Sequence, residues 1–178
     1  MDNDNQLAEK VCCDSTTFVH LYRRHYDAVF RYCVHRLFER AAAEDVTSAV
    51  FLKIVENFGR FQGSERDFRN WLYKIATNAV NGHLRKNARR DALLKHICRQ
   101  ADNLDSMDAS AEKLAVLKQA VLTLKPRYQT IITLRFFENL KLAEIAEVLG
   151  SSNGTVRSQL ARALAKLRKK MNASRREV

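Results

Sequence analysis

This sequence predicts an all-α fold: two small helical domains joined by a flexible linker, the second carrying a helix-turn-helix. Three observations lead there. Five glycines and one proline among 178 residues cannot supply the turn every ~8–12 residues that a β-sandwich or barrel requires. Apolar residues recur three and four apart through long stretches, the repeat of helices with one buried face. Charge is also blocked. Residues 60–99 carry ten basic and three acidic side chains, and residues 119–178 carry twelve and four. Between and before them, residues 100–118 carry two basic and four acidic, and residues 1–59 seven and nine. Two basic blocks separated by an acidic stretch fit two modules, each facing a polyanion.

The first helix is expected from Ser15 to about Phe38, with Asp14 as its cap and Phe18, Tyr22, His25, Val29, Tyr32, Cys33 and Leu37 on its buried side. A second should run from about Ala43 to Asn57. Glu44 and Asp45 fall in its first turn, where the helix dipole favours carboxylates. Its apolar residues Val46, Val50, Phe51, Ile54, Val55 and Phe58 spread over a face broad enough to need more than one neighbour. A third helix, about Glu65–Arg90, buries Phe68, Trp71, Leu72, Ile75, Ala79 and Leu84 and completes a first domain over residues 1–90. Residues 91–110 lose the apolar stripe and turn small, polar and acidic, which marks the linker. Leu114, Leu117, Val121 and Leu124 then restart the repeat, and Pro126 sits where a new helix begins, so residues 111–178 form the second domain.

Several function classes drop out. No apolar run approaches the ~18 residues of a membrane span, so no membrane insertion is expected. The acidic, polar start is unlike a secretory signal, which predicts a cytoplasmic protein. Cys12, Cys13, Cys33 and Cys98 have no bridge-like or zinc-like spacing, and Cys33–His35 and His96–Cys98 are too close along a helix to converge on one ion. Buried thiols are the expectation. With no His-Glu-x-x-His, no phosphate-cradling glycine loop and no nucleophile beside a base, the expectation is a protein without catalytic residues, metal or cofactor.

Two helices look built for nucleic acid. On the third, Arg66, Asn70, Lys74, Asn78, Asn81 and Arg85 recur three or four apart, alternating cations with amides and containing no carboxylate. Cations suit phosphates and amides suit base edges, a mixture that fits nucleic acid better than a lipid surface. Ahead of this helix, Arg60, Phe61 and Gln62 place an aromatic among basic and amide groups. Two readings stand there: a platform on which unpaired bases stack, or a staple holding the loop to the core.

The sharper signal is residues 142–156, LAEIAEVLG followed by SSNGTV. Ala146 allows close helix crossing, Gly150 allows a left-handed end to the first helix, Ser152 caps the second and Val156 points inward from it. That is a helix-turn-helix. With Val156, Leu160, Ala163, Leu164, Leu167 and Met171 inward, Thr155, Ser158, Arg162, Ala165 and Lys169 should face a major groove, and Arg157 and Lys166 should reach phosphates at its flanks.

Taken together, Ala43–Leu52, Phe68–Asn78 with Leu84-Arg85, and Leu124–Arg168 resemble, in this order, an extracytoplasmic-function sigma factor of the sigma-70 family. The resemblance implies no catalysis, and it implies region 2 over residues 1–90 and region 4 over residues 111–178. It further implies docking on the beta-prime clamp helices of core RNA polymerase through Glu44, Asp45, Thr47, Ser48 and Phe51, with region 4 meeting the beta flap. Promoter DNA would be melted and read at the minus-ten element by Arg60, Phe61, Gln62, Asn70, Lys74, Asn78, Asn81 and Arg85. The minus-thirty-five element would be read by Thr155, Arg157, Ser158, Gln159, Arg162, Lys166 and Lys169. An anti-sigma protein is the implied inhibitor. The chain departs from the family pattern at Ser48-Ala49, Asn81 and Gln159, positions that bear on one polymerase contact and on promoter sequence.

Overall fold

A computed structural model of the chain describes residues 15–61, 63–95 and 119–174. Among these residues every regular element is helical: α1 (Ser15–Leu37), α2 (Arg40–Asn57), α3 (Glu65–Lys95), α4 (Pro126–Ile132), α5 (Leu142–Leu149) and α6 (Asn153–Ser174). A 3-10 turn, Phe58–Arg60, follows α2, and a π-helical turn, Thr133–Phe137, follows α4. The chain is therefore all-α, with one helical unit before residue 96 and another after residue 118. Most of the stretch expected as linker lies outside the described residues, although α3 runs on to Lys95, past the expected end at Arg90.

Local chemistry sets the boundaries. Phe38 takes a left-handed φ of 56° and ends α1, and its N–H still donates to the Val34 carbonyl at 2.8 Å. The helix-favouring run Arg40–Ala43 then starts α2 three residues earlier than expected. As a result no acid lies in its first turn, and Glu44 pairs instead with Arg40 at 3.0 Å. The dipole role expected of Glu44 and Asp45 falls away. Ahead of α3, Ser64 and Asp67 cap reciprocally: the Ser64 N–H donates to Asp67 at 2.9 Å and the Asp67 N–H to the Ser64 hydroxyl at 3.3 Å.

Helices α1, α2 and α3 enclose a core of Val29, Tyr32 and Cys33, Val46, Val50, Phe51 and Ile54, and Phe68, Leu72, Ala76 and Val80. The phenol of Tyr32, fully buried, is satisfied by Thr77 at 2.8 Å. Burial pushes the Cys33 thiol up to about 11, as befits a packing residue. Cys12, Cys13 and Cys98 lie outside the described residues. The broad apolar face expected of α2 is narrower than its sequence suggests, since Val55 is 51% exposed.

In the second unit, Leu124, Tyr128 and Ile132 pack on Ala163 and Leu167 of α6. Ile131, Leu134, Leu140, Ile145, Val148 and Val156 form a further layer that is continuous with the α1–α3 core. The two units thus share packed apolar surface as well as the polar joint described below. No helix among the described residues is long and apolar enough to cross a membrane.

Candidate nucleic-acid interface

The turn between α5 and α6 follows from two residues. Gly150 adopts φ 59° and ψ 38°, which ends α5 with the Ser151 N–H donating back to the Ala146 carbonyl at 2.9 Å. Ser152 then accepts the Thr155 N–H at 3.1 Å and starts α6. Val156 and Ala163 are fully buried and Leu167 nearly so, which fixes the rotation of α6 about its axis. On the other side Thr155, Ser158, Arg162, Ala165 and Lys169 are exposed, flanked by exposed Arg157 and Lys166, with Gln159 half-buried. The structure brings this set together on one open surface. Two of its hydroxyls are held locally, Thr155 against Ser152 at 2.8 Å and Ser158 donating to the Thr155 carbonyl at 2.9 Å.

The α3 stripe divides in two. Toward its C-terminal end Lys74, Asn78 and Arg85 are exposed, and Asn81 is half-buried where it accepts from Arg36 at 3.2 Å. Arg85 also lines a shallow cleft with Gly82, His83, Lys86, Asn87, Arg89 and Arg90. The exposed cations Lys86, Arg89 and Arg90 were not singled out from the sequence, although the charge of residues 60–99 pointed at them.

Toward its N-terminal end the same stripe is covered. Asn70 is only 6% exposed, and its amide donates to Glu147 of α5 at 2.5 Å. Arg69 donates to Glu144 at 2.5 Å, and Arg66 lies 3.5 Å from Glu144 and 3.7 Å from Glu147. Tyr73 donates to Glu138 at 2.5 Å. Asn70 is thus not the exposed amide that its spacing suggested. Carboxylates missing from the α3 stripe are supplied from the second unit, which a helical period cannot reveal. Burial works against ionisation of Glu144, but the Lys141 N–H at 2.6 Å and the guanidinium of Arg69 outweigh it and hold the carboxyl below its ordinary range. At Glu138 burial wins and the pKa rises, despite the Tyr73 hydrogen bond and nearby Arg31.

Before α3, the Phe61 ring stacks on Trp71 at 5.2 Å and meets Phe68 edge-on at 5.5 Å. That packing is what the staple reading expects, and Phe61 keeps part of its ring exposed. Gln62 lies outside the described residues, as does the side chain of Arg60.

On α2, Glu44, Asp45 and Ser48 are exposed, whereas Thr47 is fully buried and Phe51 is 5% exposed. At 100° per residue Thr47 and Phe51 fall on the inner side with Ala43, Val50 and Ile54, so neither is offered to a partner. The apolar side chains that this helix does offer are Leu52, 60% exposed, and Val55. Among the described residues no group of His, Cys, Asp and Glu could hold a metal ion.

With this geometry in place, comparison with known proteins is informative. Residues 21–90 match the family model of sigma-70 region 2, and residues 114–167 that of sigma-70 region 4. The chain is 34% identical over 158 residues to the ECF RNA polymerase sigma factor BldN of Streptomyces coelicolor, covering 86% of this chain and 60% of BldN. It is 30% identical over 165 residues to the RNA polymerase sigma factor YlaC of Bacillus subtilis, covering 88% of this chain and 93% of YlaC. The solved structure of CnrH in complex with the cytosolic domain of CnrY has the same fold, with a TM-score of 0.74 at 23% identity over 97% of this chain and 99% of that one. The chain belongs to the sigma-70 family of RNA polymerase sigma factors, in its extracytoplasmic-function group.

Proposed function

We propose that this chain binds core RNA polymerase and directs it to particular promoters, with residues 1–90 acting as region 2, 91–110 as tether and 111–178 as region 4. The outward face of α6 carries this reading. There Arg162 and Lys169 stand exposed opposite the buried Val156, Ala163 and Leu167, so that side chains able to reach base edges are presented on a rigid helix. Thr155, Ser158, Gln159, Arg162 and Lys169 would read the minus-thirty-five duplex, while Arg157 and Lys166 hold its phosphates.

Region 2 would capture minus-ten bases along α3 through Lys74, Asn78, Asn81 and Arg85, with Asn70 available once its α5 partner leaves. Arg60, Phe61 and Gln62, which precede that helix in sequence, would add to the minus-ten contacts. Each base taken out of the stack costs a few kcal/mol, which contacts along α3 must offset. Polymerase would dock on α2 through Glu44, Asp45 and Ser48 beside Leu52 and Val55, with Thr47 and Phe51 shaping that surface from beneath; the beta flap would meet region 4. The chain acts throughout by binding and needs no cofactor. An anti-sigma protein is the proposed inhibitor; CnrH, which shares the fold, was solved with the cytosolic domain of CnrY.

Reconstitution with core polymerase tests the reading. The chain is expected to co-elute with core and to support transcription from promoters enriched after its overexpression. Duplex binding without co-elution would instead indicate a repressor or activator that works apart from polymerase. Within that assay, Asn78→Ala should reduce permanganate-reactive thymines at the start site while leaving the closed complex intact. Equal loss of both would remove Asn78 from the melting step.

A further inference from the structure

Residues 119–174 contain three acidic side chains, Glu138, Glu144 and Glu147. Each of them is spent on α3: Glu138 on Tyr73, Glu144 on Arg66 and Arg69, and Glu147 on Asn70 and Arg66. In a unit whose remaining charge is basic, turning every carboxylate toward one helix is a strong form of charge complementarity. Three of the four donors so engaged, two guanidiniums and an amide, are those that take phosphate oxygens and base edges in nucleic-acid complexes, and a carboxylate satisfies a guanidinium fork as a phosphate does. One donor set cannot serve α5 and a nucleic-acid strand at once.

The same joint holds groups that opening would relieve. Arg36 is 1% exposed, yet the partners of its guanidinium are neutral, among them Gln129 at 2.7 Å and Asn81 at 3.2 Å, and its Nε has no partner. The Nε of Arg69 and the Oδ1 of Asn70 are likewise buried without partners. A buried guanidinium lacking a carboxylate is costly, and separation would return it to water. Opposing this, the Ile145 and Ala146 side chains of α5 belong to the apolar cluster shared with α3 and keep the joint shut. Such a balance makes a two-state element.

We propose that α5 is an intramolecular lid on the N-terminal part of the α3 face, its Glu144 and Glu147 standing in for the anions of a nucleic-acid strand, so that the free chain is closed to single-stranded DNA. The proposal rests on the assignment of α3 to nucleic acid made above and adds how that face is regulated.

The test compares full-length chains binding a short fluorescein-labelled DNA single strand of mixed sequence, with small-angle scattering on the same samples. Glu144→Gln with Glu147→Gln should bind about tenfold more tightly than the natural chain and show a larger radius of gyration. Asp27→Asn with Glu56→Gln removes the same charge from exposed positions of α1 and α2 and should change affinity less than about twofold. Because Glu144 also caps α5, Glu147→Gln alone, at a side chain 54% exposed, guards against misfolding and should still give about threefold. Unchanged size and affinity in both variants, or a gain matched by the control pair, overturns the lid. A chain that opens without binding more tightly overturns the inhibition. The binding arm needs no polymerase, so failure to direct transcription would sink the function proposed above and leave this result to be read by itself.

Discussion

Helices α3 and α6 are both basic and both carry a polar stripe, yet one is half covered and the other bare. The stripe of α6 is open because its orientation is set locally: Gly150 and Ser152 fix the turn, and Val156 and Ala163 fix the rotation. The stripe of α3 is closed at one end by Glu144 and Glu147, which lie more than seventy residues further along the chain. The difference teaches that a carboxylate-free stripe marks a surface seeking anions, whether these come from a ligand or from the chain itself.

The largest effect expected bears on whether the two helices belong to one folding unit. Ile145 is fully buried in the cluster that joins α5 to α1–α3, so Ile145→Ala should cost about 3 kcal/mol. Calorimetry is expected to show a single transition moved down as a whole. Two transitions, with only one displaced, would make the units independent and the cover over α3 incidental.

Next in size is Arg162→Ala on the bare helix, which should weaken specific duplex binding by about 2 kcal/mol. Single-strand binding by the same variant is expected to stay unchanged in an anisotropy assay. Parallel loss of both would mean that the two faces do not divide the work.

A smaller effect sharpens the covered side. Burial, reinforced by Arg24 and Arg69, lowers the pKa of His25 from 6.5 to about 4. The unfolded chain therefore binds this proton first, so the stability contributed by the neutral ring is full above 6.5 and drains away as pH falls toward 4. Allowing for solvent screening, the loss is about 1–2 kcal/mol. His25→Phe, packed against Phe68, should flatten that part of a thermal-melt profile against pH. A profile that keeps its slope would assign the loss to carboxylates held below their ordinary range, with Glu144 the first to examine.

Much of this architecture was legible in sequence because it is written in neighbouring residues. The left-handed end of α5, the Ser152 cap and the inward side of α6 each depend on chemistry within one or two turns, and each is observed. Boundaries slipped where a backbone choice intervened, as at Phe38, whose positive φ lets α2 begin at Arg40. On α2 the family segment carries residue identities without telling inside from outside, so it offers Thr47 and Phe51 as contacts although the helical period turns them inward. The covering of Asn70 was out of reach altogether. No pattern within α3 reports which residues of a distant helix will pack on it.

With Glu138, Glu144 and Glu147 engaged on α3, the basic charge of the second unit bears on a first encounter with a polyanion. Within a Debye length, about 8 Å in physiological salt, α6 presents charge of a single sign, since that helix contains Arg and Lys but no Asp or Glu. Attraction at that range does not depend on base sequence. On the function proposed above, capture would precede choice, and the selectivity of α6 would operate only after that pull has done its part.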